Sequence, residues 1–150
     1  MSKHTLSQLV LVGGVVVGFG TACDLITGNG NQVEPALIRL GGQIAILEMP
    51  DTVARGVPFT VRVQTFGGGC TREAARTEAK PVPTGVEIRP YNRTSTGTHC
   101  LTVLLYLYHT STLSLNTSGS ATVAVVGAQR GVSSSPQTEP ARLEHTIFVR

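Results

Sequence analysis

Apolar positions along this chain fall into two regimes. The first is a continuous run. From Leu6 to Phe19 every residue except Ser7 and Gln8 is apolar or glycine, with Lys3 ahead of it and the small residues Gly20-Thr21-Ala22 behind it, just before Cys23. A positive start, a short apolar stretch and a small-residue exit form the layout of a secretory signal peptide. The run is shorter than the ~20 residues a helix needs to cross a bilayer, and Gly13, Gly14 and Gly18 interrupt it. It therefore predicts a leader over residues 1–22 more readily than a retained span.

The second regime is a succession of short β-type runs. Gln43 to Met49 carries Ile44, Ile46 and Leu47 and stops at Pro50-Asp51. Phe59 to Phe66 alternates, with Phe59, Val61, Val63 and Thr65 on one side and Thr60, Arg62 and Gln64 on the other. Period-two alternation predicts a strand with one dry and one wet face. Gly67-Gly68-Gly69 predicts a mobile or tightly turning loop. The charged stretch Thr71–Lys80, closed by Pro81 and Pro83, predicts a loop crossing between two sheets. Val86 to Tyr91 is a short strand with Val86 and Ile88 inward, and Pro90 suggests an edge position. Asn92 to His99 is a polar loop. Cys100 to Tyr108 differs, because Leu101, Val103, Leu105 and Leu107 alternate with Leu104, Tyr106 and Tyr108. A strand apolar on both sides is expected to be central or covered on both faces. The other possibility is that Leu104, Tyr106 and Tyr108 form a contact surface. Thr112 to Leu115 and Ser120 to Gly127 alternate again around the turn Asn116–Gly119, with Ala121, Val123 and Val125 facing in. Gly131 to Pro140 is an exposed loop, and Leu143, Ile147 and Val149 share a parity in the last strand. Ahead of these runs, Asp24 to Glu34 is polar and glycine-rich and predicts a flexible tether; Pro35 to Leu40 is either a short strand or an extended arm. The pattern as a whole predicts an all-β fold: an antiparallel β-sandwich of about seven strands over 42–150, preceded by a tether over 23–41.

Two stretches carry a resemblance to known families. Asp51-Thr52-Val53-Ala54-Arg55-Gly56-Val57-Pro58-Phe59-Thr60-Val61-Arg62-Val63 resembles the opening of bacterial immunoglobulin-like domains, and Gly119 to Gly127 resembles one of their later strands. The resemblance implies an immunoglobulin-like sandwich and is nearly silent on function. Tryptophan, which packs on the disulfide of antibody-type domains, is absent. At the leader's exit, Phe19-Gly20-Thr21-Ala22-Cys23 resembles bacterial lipoproteins. That resemblance implies a lipid on Cys23 and a protein anchored to a membrane, facing the periplasm or the cell surface. Gly20-x-Ala22 also suits ordinary signal peptidase, which would leave Cys23 as an unmodified N-terminus.

Composition narrows the chemistry. The net charge is +3, and Lys3 belongs to the leader, so 11 basic residues face 9 acidic ones afterwards. The arginines are scattered, and nucleic-acid binders cluster theirs; no nucleic-acid partner is expected. Of three cysteines, a lipidated Cys23 leaves Cys70 and Cys100 as a pair in an oxidising compartment. A Cys70–Cys100 bridge closes a loop of about 30 residues and contributes ~3–4 kcal/mol by the loop-entropy account; the alternative is two buried thiols. His99, Cys100, His109 and Cys70 include metal-ligand types, but their spacing matches no tight ligand set, and His99 would point away from Cys100 on a continuous strand. The expectation is therefore no metal and no cofactor, with histidines exposed at strand ends. An exported metal-binding or redox protein using His99, His109 and the cysteines is the alternative. No nucleophile elbow or phosphate loop is present, and no enzyme is expected. Asn92-Arg93-Thr94 and Asn116-Thr117-Ser118 match glycosylation sequons. The function expected is that of an exported, lipid-anchored, non-enzymatic β-sandwich serving as a binding or structural module of the cell envelope, with the membrane as partner through Cys23 and an envelope protein or glycan as a candidate further partner.

Overall fold

A computed structural model describes residues 30–95, 103–131 and 138–150 of the chain, at Arg72 through its backbone alone. Eleven strands occupy them: β1 (Asn31–Pro35), β2 (Leu37–Leu40), β3 (Gln43–Ile44), β4 (Ile46–Glu48), β5 (Thr52–Val53), β6 (Phe59–Gly68), β7 (Thr71–Val82), β8 (Gly85–Ser95), β9 (Leu104–Leu113), β10 (Gly119–Arg130) and β11 (Glu139–Val149). The fold is all-β, as the alternation predicts. The strand number and the pairing sense need correction. The strands join in one eleven-stranded mixed sheet, with parallel pairings of β10 to β2, β10 to β8 and β11 to β5.

Much of this difference originates in the segment expected to be a tether. β1 adds antiparallel to the C-terminal half of β8, from Asn31↔Ser95 to Pro35↔Tyr91. At Ala36 the chain changes partner. The Ala36 N–H donates to the Pro90 carbonyl at 2.9 Å, and the Ala36 carbonyl accepts from the Ala128 N–H at 2.9 Å. β2 then runs parallel to β10 and pairs with β6 at Leu37↔Phe66. Ala36, Leu37 and Ile38 are buried, Ile38 completely. The strand body thus begins at Asn31 rather than Gly42, because three consecutive apolar residues find cover between β6 and β10. The crossing is close. A Cβ on Gly127 would stand 2.5 Å from the Ala36 carbonyl oxygen and 2.8 Å from Ile38 Cγ2.

Three local expectations are also corrected. Thr71–Val82 is a strand, not a crossing loop. It pairs along its length with β8 through the turn at Pro83-Thr84. Its inward residues, such as Ala74 and Thr77, are small, which hid the alternation. Gly67 and Gly68 end β6 in register with Leu105 and Leu104 instead of forming a loop. Pro90 lies in an interior strand, not at an edge. It stands where the partner of β8 changes: the β10 pairing ends at Ile88↔Val125 and the β1 pairing starts at Tyr91↔Pro35. The missing N–H therefore breaks no ladder.

The sheet path β7-β8-β10-β2-β6-β9 curls until its two outer members, β7 and β9, lie against each other without a ladder. One apolar cluster fills the interior, with Ile38, Val61, Val63, Ile88, Val123, Val125, Ile147 and Val149 at its centre. Burying each such side chain contributes ~1.5–3 kcal/mol before chain entropy is set against it.

Candidate functional site

His109 sits on the inward row of β9 and is 2% exposed, which corrects the expectation of a histidine exposed at a strand end. Its Nε2 lies 3.0 Å from Asn92 Oδ1 on β8, and its Nδ1 lies 3.3 Å from Thr77 Oγ1 on β7. An amide oxygen only accepts, so Nε2 carries the proton and Nδ1 accepts from the threonine hydroxyl. Asn92 also donates from Nδ2 to the Phe66 carbonyl at 3.4 Å. Burial pushes the imidazole below its ordinary pKa, opposed by the Arg76 backbone, which favours the charged ring. The knot joins β7, β8 and β9 where the curled sheet lacks a ladder. With both ring nitrogens engaged, His109 has no lone pair to offer a metal. Among the described residues no group of three or more His, Cys, Asp or Glu side chains is placed to hold one. Asn92, being buried in this knot, is closed to glycosylation in the folded chain, whereas Asn116 is exposed.

The outer face of β7, β8, β10 and β11 is covered by ion pairs. Arg93 meets Glu73 at 2.8 Å, and Arg76 meets Glu78 at 3.0 Å. A chain of contacts runs Arg89–Glu87 at 2.7 Å, Glu87–Arg142 at 2.8 Å and Arg142–Glu144 at 2.7 Å. It passes over Ala124, which is fully buried on β10 between the Glu87 and Glu144 register positions. Hydrogen bonds from Arg89, then from Arg142, hold the Glu87 carboxyl below its ordinary range. Its side chain is 13% exposed. The charged stretch Thr71–Lys80, which sequence patterning assigned to a loop, supplies part of this layer.

The outer face of β4, β6 and β9 is of another kind. Among the described residues β9 pairs with β6 alone, and its outward row is Leu104, Tyr106, Tyr108, Thr110 and Thr112. The two-sided apolar pattern predicted cover on both faces, and this correction is the informative one. Leu104, Tyr106 and Tyr108 are 43%, 48% and 46% exposed, and Ile46 on β4 is 53% exposed. Register brings Ile46, Gln64 and Tyr108 into one cross-strand line and Glu48, Arg62 and Thr110 into the next. The Arg62 guanidinium carbon stands 3.9 Å from the Tyr108 ring centroid, and Nη1 lies 3.3 Å from Glu48 Oε2. The Tyr106 ring is tilted 59° to that of Phe66 at 6.0 Å. Contiguous exposed apolar surface on a soluble body marks an interaction site, and tyrosine with arginine is the pairing enriched at such sites. Sequence patterning singled out the three β9 residues. Arg62 and Ile46 carried no signal, because only strand register brings them there.

Cys70 lies in the turn between β6 and β7. Cys100, His99 and Cys23 lie outside the described residues. Among the described residues no helix is long and apolar enough to cross a membrane. These features define an all-β body with one ion-paired outer face and one tyrosine-bearing apolar outer face. Compared with known proteins, the chain matches no family model, no curated protein and no solved structure.

Proposed function

We propose that the chain is an exported, lipid-anchored, non-enzymatic β module of the cell envelope, and that the outer face of β6 and β9 is its contact surface. The observation that carries the contact surface is the uncovered row Leu104, Tyr106 and Tyr108. The leader pattern and Cys23 support export and anchoring. Kinship of the core with immunoglobulin-like domains belongs to the same reading. Its support is that the two resembling stretches form β5, the first part of β6 and most of β10, strands of the central cluster; the parallel pairings are no part of that likeness. Replacing Cys23 with Ala tests the anchor. Wild-type protein is expected in the membrane fraction and to incorporate labelled palmitate, and the variant is expected to be released. A variant that stays on the membrane would refute the anchoring.

A Cys70–Cys100 disulfide is part of this proposal, and endpoint geometry supports it. Residues 96–102 connect β8 to β9. The connection leaves from Ser95, whose N–H donates to the Cys70 carbonyl at 2.9 Å, and returns at Leu104, which pairs with Gly68, two residues before Cys70. Both described ends of the connection, Ser95 and Leu104, are thus near Cys70 along the strand ladders, which supports the pairing.

A further inference from the structure

The identity of what covers the tyrosine face follows from where the chain leaves the sheet. Asn31 pairs with Ser95, Ser95 bonds to Cys70, and Gly68 pairs with Leu104. The N-terminal exit, the Cys70 turn and the start of β9 therefore share one end of the molecule. Cys23 precedes Asn31 by eight residues, a linkage that spans at most ~28 Å when fully extended.

Polarity on the outer face is graded from that end. Outward along β9 come Leu104, Tyr106 and Tyr108, then Thr110 and Thr112. In matching register along β6 come Gly68, Phe66, which is buried in the core, and Gln64, then the exposed Arg62 and Thr60. The apolar half is the half beside the chain exit, and the polar half lies away from it. The opposite outer face is laid with ion pairs from Glu73–Arg93 to Arg142–Glu144, and its exposed apolar side chains, Val33 on β1 and Phe148 on β11, are single residues set among polar ones. Tyrosine is a residue of the membrane interface, its ring among the upper acyl chains and its hydroxyl at the headgroups. Among the described residues the Tyr106 and Tyr108 hydroxyls have no hydrogen-bond partner in the protein. Arg62, stacked on Tyr108, stands at the boundary between the two halves, where headgroup phosphates would be met.

We infer that the exit-proximal half of the β6–β9 outer face, formed by Leu104, Tyr106, Tyr108 and Ile46, seats on the lipid surface that carries the anchor. The inference rests on the lipid-anchored reading. A few half-exposed side chains do not hold a protein on a bilayer alone, but on a tethered body the contact is intramolecular and its effective concentration is high. The tether then sets distance, and the face sets orientation: the body lies on its tyrosine side with the ion-paired face toward water.

The chain has no tryptophan, so single tryptophans report depth without background. Lipidated protein carrying Tyr106→Trp, Tyr108→Trp or, as a control on the other face, Tyr91→Trp is reconstituted into phosphatidylcholine–phosphatidylglycerol vesicles with or without brominated acyl chains. Unchanged circular dichroism and melting select the variants that fold. Tryptophan at 106 or 108 is expected to shift to the blue and lose about half its emission or more to the bromines, as interfacial aromatic rings do, while that at 91 keeps its emission. Adding Leu104→Ser to Tyr106→Trp should restore emission. Vesicle-bound protein with no quenching at 106 and 108 overturns the seating and leaves the anchor standing. A blue shift without quenching, the sign of a protein partner or a second copy on the face, overturns it too. Protein that does not float with the vesicles overturns the anchor itself.

Discussion

Side chains from three strands meet at His109, and no carboxylate is among them. Facing the ring are Thr77 and the Arg76 backbone from β7, Asn92 from β8 and the cross-strand neighbour Val63 of β6. Desolvation with no counter-charge favours the neutral imidazole. The folded ring therefore binds its proton less readily than the unfolded ring, whose ordinary pKa is 6.5. The stability it contributes is complete above that value and is lost as the pH falls from there toward the lower folded value. Urea unfolding from pH 8 to 5 should show stability declining on the acid side, with a slope of at most ~1.4 kcal/mol per pH unit from this group. A His109→Gln variant should be less stable at neutral pH by ~1–3 kcal/mol, through the broken knot, and should lose that acid-side slope. Glu87 acts in a lower window. Its folded pKa lies below the ordinary 4.5, so its contribution is present above 4.5 and disappears as the pH falls through the folded value. Glu87→Gln should therefore be less stable than wild type at neutral pH and should converge with it in acid, the difference shrinking in high salt.

At the scale of elements, legibility followed the size of the inward residues. β6, β10 and β11 carry Val, Ile or Leu at alternate positions, and their faces were readable directly. β7 has alanine and threonine on its inner side and charges outside, so composition resembled a loop. Its strand character comes from a partner, since ten register pairs with β8 run along it. β9 shows the reverse failure. An apolar row on both sides ordinarily implies cover on both sides, but here Leu104, Tyr106 and Tyr108 on the outer row are exposed. The β1–β2 crossing depends on Gly127, where a side chain meets the Ala36 carbonyl and Ile38. Gly127→Val should lower stability by ~2–3 kcal/mol or more through overpacking, and Gly127→Ala by less. Melting curves check both, and a neutral Gly127→Val would mean that β2 is not packed on β10.

The whole molecule is a curled sheet whose outer strands touch through side chains instead of a ladder. The Cys70 turn, the N-terminal exit and the start of β9 share one end of this sheet, the end that the proposed disulfide would close. Reduction of that Cys70–Cys100 disulfide should raise the intact mass by two hydrogens and lower stability by ~3–4 kcal/mol on the loop-entropy account; free thiols in freshly isolated protein would contradict it.

Alternation and turn chemistry are local properties, and from them the amino-acid sequence alone determined that the chain is all-β, where the apolar parts of β6, β10 and β11 and the first half of β8 lie and which of their faces are dry. The second half of β8, residues 92–95, read as a polar loop because its residues are polar and its partners are distant in sequence. The leader pattern and the three unusual residues of β9 were visible in the same way. Strand partners are chosen by contacts between residues far apart in sequence. Only the tertiary structure could therefore decide that Ala36 joins Pro90 to Ala128, that β10 runs parallel to β8 and β2, that His109 is buried, and that the tyrosine row is exposed.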